Sequence, residues 1–211
     1  MLRIGVAAAV LVIALTSTGS AQGSDFPLFN SHWDAISANA GWRSADSQVG
    51  FTARQVATTN LNQGEGPPHQ KHFDISVCIE QPGRTICSRN ATLSDHDFRV
   101  DGSLDTAVIN AVVPAEECSG VPFTCTDINL HIDLAWTASG PLDHSTRWHN
   151  KWGASKDCQI NEVGSVVGRQ AEVRGSISDG TRQFIAGLDT VYAYIGKSRS
   201  ALTGRGDAFC L

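Results

Sequence analysis

The segment Ile128-Asn129-Leu130-His131-Ile132-Asp133-Leu134-Ala135-Trp136-Thr137 places a large apolar side chain at every second position, with polar or small residues between. Successive side chains of an extended strand point to opposite faces, so the pattern reads as a strand with one apolar and one solvated face. A helix would need apolar recurrence at three and four residues. Phe73, Ile75, Val77 and Ile79 repeat the device, as do Ala171, Val173, Gly175 and Ile177. Turn formers separate these runs at Gln63 to Pro68, Pro82-Gly83, Asp101-Gly102, Ser139-Gly140-Pro141 and Ser178-Asp179-Gly180. Alternating strands punctuated in this way predict an all-β fold, an antiparallel β-sandwich or barrel-like domain. One short N-terminal helix is expected over residues 31–39, with Ser31 as N-cap and Gly41 as the stop.

The 211 residues are 41% hydrophobic and 18% charged, which is globular composition. Lys+Arg is 16 against Asp+Glu 21, a formal net charge of −5. That balance argues against nucleic acid as a partner, because such binding needs a basic surplus. At the N-terminus, Arg3 precedes an apolar run from Ile4 to Leu15 and then the small, polar Thr16 to Ala21. These are the parts of a secretory signal peptide with cleavage expected after Ala21. The apolar run of about 12 residues is too short to span a bilayer, which takes about 20, and no later run reaches that length, so no transmembrane segment is expected. Residues 1–21 are therefore read as the signal peptide, 22–45 as a lead-in and 46–211 as a single β-sandwich domain of a secreted protein. An echo links Arg89 to Leu93 and Leu104 to Val108 with Arg169 to Val173 and Leu188 to Val191. Duplication of a meander (73–113 and 128–195) would produce it, and so would shared strand composition.

The six cysteines are even in number, which in an exported chain reads as a disulfide-stapled framework. Cys78 to Cys87 is symmetric about Pro82-Gly83, so folding at that turn sets Ile79 against Ile86 and Cys78 against Cys87. A two-residue loop makes the cysteines a non-hydrogen-bonded pair, close enough for a disulfide. Cys118 and Cys125 would close a small loop, leaving Cys158 to pair with Cys210. No C-x-x-C clusters the thiols for a metal.

Four residues, Arg147, Trp148, His149 and Trp152, are the candidate binding stretch. If extended, Trp148, Asn150 and Trp152 share one face while Arg147, His149 and Lys151 share the other. Paired tryptophans make platforms for flat sugar faces or protein surfaces. The same alternation fits a half-buried strand whose tryptophans face the core. Trp33 and Trp42 are further candidates. His131 and Asp133 lie two apart on the polar face of the best strand, where a carboxylate could orient an imidazole for general-base or metal chemistry. Asp95-His96-Asp97 and Asp143-His144 are similar pairs. His69 and His72 are weak metal candidates, since positions three apart on a strand face opposite ways. Gly175-Ser176-Ile177-Ser178 departs from the G-x-S-x-G elbow, and Glu116-Glu117 would point oppositely on a strand, which removes the paired carboxylates of a glycosidase. Asn90-Ala91-Thr92 and Arg205-Gly206-Asp207 match short acceptor and adhesion motifs by composition alone.

From Leu134-Ala-Trp136-Thr-Ala-Ser-Gly140-Pro-Leu142, through the basic-aromatic stretch, to Arg169-x-Ala171-x-Val173-x-Gly175, the chain resembles small secreted bacterial β-rich proteins of unassigned function. The resemblance implies a secreted β-rich protein and carries no activity or site residues. The expected function is non-catalytic binding of an extracellular ligand, a glycan or a protein surface, with no cofactor implied. The alternatives are a hydrolase or metal-binding protein using His131 and Asp133, and a structural protein assembling through sheet edges.

Overall fold

A computed structural model describes residues 28–60, 69–89, 91–155 and 158–205. They form ten antiparallel strands: β1 (Leu28–Arg43), β2 (Gln48–Asn60), β3 (His69–Gln81), β4 (Arg84–Ser88), β5 (Phe98–Val100), β6 (Thr106–Ser119), β7 (Thr124–Ala138), β8 (Asp143–Ser155), β9 (Cys158–Ser178) and β10 (Asp189–Arg205). The ladder order is β10-β1-β2-β3-β4-β6-β7-β9-β8, and β10 also pairs with β9. That last pairing closes β1, β2, β3, β4, β6, β7, β9 and β10 into a barrel-like ring. β8 hangs on β9, and β5 on β6.

Strand β7 is the deciding segment, and it alternates as its pattern requires. Leu130, Ile132, Leu134 and Trp136 are buried, while Asn129, His131, Asp133, Ala135 and Thr137 are exposed. Its neighbour β6 answers large with small: Ala107 lies opposite Trp136, Ala111 opposite Ile132 and Ala115 opposite Ile128. Trp136 then crosses the barrel interior. Its indole meets Phe51 with ring centroids 5.5 Å apart and donates Nε1–H to the Asn39 carbonyl at 3.1 Å. On β1, Ala38 and Ala40 are fully buried in the same core.

The expected helix over residues 31–39 is instead part of β1, paired with β2 on one side and β10 on the other. Alanines are good helix formers, and Ser31 suits an N-cap, so local preference pointed away from a strand. The period-two set Ile36, Ala38, Ala40 and Trp42 decides the outcome. Extension turns this set toward the barrel core, and the two methyl groups leave space for the large interior rings. Trp42, one candidate for ligand contact, is 4% exposed and belongs to that core.

Two disulfides staple neighbouring strands. Cys78 pairs with Cys87 across a hairpin in which Ile79 opposes Ile86 and Gln81 opposes Arg84, leaving Pro82-Gly83 as the two-residue turn. Gly83 has φ +69°, as the third position of a type II turn needs, so Pro-Gly is accommodated without a primed turn. The Cα separation of 4.2 Å is that of a non-hydrogen-bonded pair. Cys118 pairs with Cys125 at the β6–β7 tip. The expected Cys158–Cys210 bridge lies outside the described residues, as do the signal segment, Asn90 and Gly206-Asp207.

One ionic cluster ties the connection after β9 to β4 and β6. Arg182 donates to both carboxylate oxygens of Glu117 at 2.9 and 2.7 Å and also reaches Asp179, while Arg84 reaches Glu117 at 3.3 Å. The Arg182 hydrogen bonds, helped by Arg84, hold the Glu117 carboxyl below its ordinary range. Burial pushes the Asp179 carboxyl up, but donors from Arg182 and Thr181 outweigh it and hold it well below that range.

Candidate functional site

Strands β1, β8, β9 and β10 run together beyond the barrel core. Residues directly opposite in an antiparallel ladder share a face, so the register sorts the side chains of this sheet. One row is Trp33–Ser200–Gly164–Trp148. Flanking it on the other face are Asp34–Arg199–Ser165–Arg147 and His32–Ala201–Val163–His149. This second face continues the side that carries Ala38 and Ile195 into the core.

The aromatic row has a small-residue floor. Trp148 leans across the strand onto Gly164, where a Cβ would come within 1.9 Å of the indole. A side chain at that position would evict the ring, so the glycine is what lets Trp148 lie flat. Strands are about 4.8 Å apart, which sets Trp33 about 14 Å from Trp148 across Ser200 and Gly164. Both tryptophans are partly exposed, and neither belongs to the core cluster. Trp148 therefore does not take the core-facing position that its alternation also allowed. The row extends outward to Ile160, which is 2% exposed yet separate from the barrel core, opposite Trp152 and Gly204. The side chain of Trp152 lies outside the described residues.

The opposite face holds an open concavity of about 460 Å³ lined by His32, Asp34, Val163, Ser165, Arg199 and Ala201, together with the central-row residues Trp33, Gly164 and Ser200. Because the Trp148 indole covers Gly164 from the aromatic side and does not line the concavity, the concavity opens on the polar side. Arg199 Nε donates to Asp34 Oδ1 at 2.7 Å within it. His149 hydrogen-bonds Asn161, and Arg147 and Lys151 stand exposed beside it on β8. The candidate stretch thus splits between two faces, Trp148 on one and Arg147 and His149 on the other. Trp33 is brought to Trp148 only by the ladder.

The remaining candidates are placed elsewhere. His131 and Asp133 are both exposed on the outer barrel surface of β7, with Ser178 and Ser176 opposite them on β9. Imidazole, carboxylate and hydroxyls thus share a face, but no hydrogen bond joins them among the described residues. His69 accepts or donates with Thr59 Oγ1 at 3.2 Å, and His72 lies 3.6 Å from Asp74, which is itself held by Arg54. These two histidines fall on opposite faces of β3, as their spacing requires, and converge on no common point. A third grouping, Glu116 with Cys118 and Cys125, has ligand-like spacing, but the two sulfurs are bonded to each other and offer no thiolate. Asp97 accepts from Ser94, a local turn that holds its carboxyl low.

No family model matches the chain, and no curated protein matches it. Among solved structures, it aligns with an acetoacetate decarboxylase-like enzyme from Sphingomonas wittichii RW1 at 11% identity over 93% of this chain and 98% of that one, with a TM-score of 0.28. A protein described as AttH from Nitrosomonas europaea aligns at 11% identity over 93% and 59%, TM-score 0.34. The enduracididine biosynthesis enzyme MppR aligns at 8% identity over 91% and 97%, TM-score 0.29. At these values neither a shared fold nor an activity follows, and no residue role passes to this chain.

Proposed function

We propose that this is a secreted, non-catalytic binding protein that grips a saccharide on the face carrying Trp33 and Trp148. The observation that carries the reading is the cross-strand row Trp33–Ser200–Gly164–Trp148. Two indoles outside the core share this row, Trp148 lying over Gly164 and only the small Ser200 standing between it and Trp33. Aromatic rings bury the apolar faces of sugars with little loss of side-chain freedom, and the small floor admits a ring between or upon them. Two disulfides and the leader-like N-terminus support export to an oxidising compartment. Among the described residues no helix is long and apolar enough to cross a membrane.

Probing an array of neutral and acidic oligosaccharides with the purified protein tests the reading. Trp33→Ala and Trp148→Ala should each reduce retention of the bound glycans by at least about tenfold, with the circular dichroism spectrum unchanged. Equal binding by both variants, or no glycan retained by the wild type, overturns it.

A further inference from the structure

The face opposite the tryptophans collects positive charge that the chain as a whole does not have. Its rows carry Lys197, Arg199, Arg147 and Lys151, with His32 and His149 between them, and Lys71 and His69 extend the same face onto β3. Asp34 is the acidic side chain within these β1 and β10 rows, bound to Arg199, and Asp95 reaches in from a loop to bind Lys71. Arg147, Lys151 and Lys197 have no ion-pair partner among the described residues. In a chain of net charge −5, three cations without an ion-pair partner among the described residues thus share the sheet face that holds the concavity, while Arg43 at the far end of β1 and Arg99 on β5 lie away from it. Unpaired like charges at this spacing repel one another, a cost that an anionic ligand would relieve.

We propose that this sheet face, with the concavity lined by Arg199 at its centre and Arg147, Lys151 and Lys197 flanking it, is a binding site for an anionic polysaccharide, one bearing carboxylate or sulfate groups. Cations two strands apart, such as Arg147 and Arg199, stand about 10 Å from each other, and Arg147 and Lys151 on one strand stand about 13 Å apart. Anions spaced along a chain can therefore each meet a separate cation. Arg147 offers a planar fork matched to carboxylate and sulfate oxygens. Between the cations lie Ser165, Asn161 and Thr203, neutral donors and acceptors suited to hydroxyl groups. Single-stranded nucleic acid is recognised largely by base stacking, and Trp33 and Trp148 belong to the row of the other face. A flat bilayer surface cannot follow a concave floor. The site is independent of the saccharide proposed for the tryptophan face, since the two lie on opposite sides of one sheet.

Titration calorimetry of the purified protein with heparin, set against neutral dextran of similar length, tests the proposal. Heparin should bind, dextran should not bind at this face, and raising sodium chloride from 50 to 300 mM should weaken heparin binding by at least about tenfold through screening. Arg147→Ala with Lys151→Ala should cost at least about tenfold in affinity, and Arg147→Glu with Lys151→Glu should abolish binding. Both side chains are exposed, so thermal midpoints should stay at the wild-type value. Trp148→Ala should leave heparin binding intact, which separates this site from the aromatic one. Heparin binding that is absent, salt-insensitive or unchanged by the charge reversal overturns the proposal, and so does tighter binding of single-stranded DNA or phosphatidylserine vesicles.

Discussion

Replacing Gly164 with alanine should destabilise the protein, although alanine ordinarily improves a strand. A Cβ at this position would meet the Trp148 indole at 1.9 Å, far inside contact distance, so the ring must leave its seat. A tryptophan side chain buries 150–250 Å² when fully enclosed, and about 100 Å² is a fair share for a ring lying over one glycine. At about 25 cal/mol per Å², losing that contact costs about 2.5 kcal/mol. Relief of glycine's extra backbone freedom returns about 0.5–1 kcal/mol, leaving a net loss of about 1.5–2 kcal/mol. Trp148→Ala alone should cost about 2.5 kcal/mol by the same area. Combining the two should then cost no more than either single change, because the Cβ now enters empty space. The double-mutant cycle should therefore show a non-additivity of about 2.5 kcal/mol. Urea titrations followed by circular dichroism would resolve it, since about 2 kcal/mol moves the midpoint by about 1 M at this chain size. Additive effects, or a Gly164→Ala protein as stable as the wild type, would refute both the stacked geometry and the row built on it.

The other expectations concern the frame around the site. Trp136→Ala should destabilise by about 3–5 kcal/mol, and Trp136→Phe by less, since the phenyl ring keeps the packing but not the hydrogen bond to Asn39; thermal unfolding measures both. Serine at both Cys118 and Cys125 should cost about 2.5 kcal/mol from the small loop that their bridge closes, and non-reducing peptide mass analysis should find Cys78 with Cys87 and Cys118 with Cys125. The folded-state pKa values of Glu117 and Asp179 are depressed, so their contribution is complete above the ordinary carboxylate values of 4.5 and 3.8 and is lost as pH falls below them. Stability should thus decline steadily from pH 5 toward pH 2, and Glu117→Gln should flatten that decline in denaturant titrations at a series of pH values.

Much of the scaffold was legible in the residue order because period two is a one-dimensional signature of a two-faced surface. Strands β7 and β3 alternate large aliphatic residues with polar ones, and Pro82-Gly83 between matched isoleucines announces its hairpin. Strand β1 was not legible. Its core positions are filled by Ala38 and Ala40, whose hydrophobic signal is weak and whose helix preference is strong. They are small because Trp136 and Phe51 occupy the space in front of them, a requirement set by residues about a hundred and about a dozen positions away in the chain.

The candidate stretch on β8 divides in the same manner. Alternation by itself determined that Trp148 would part company with Arg147 and His149, because neighbours on an extended chain cannot share a face. Which face meets solvent, and what stands beside it, depends on the ladder. Only pairing through β9 and β10 brings Trp33 level with Trp148 and gathers Arg199, Lys197 and His32 around Arg147. Local sequence dictates the direction of each side chain, whereas the company it keeps comes from hydrogen bonds between separate segments, those that bring β1 to β10 joining residues more than a hundred positions apart.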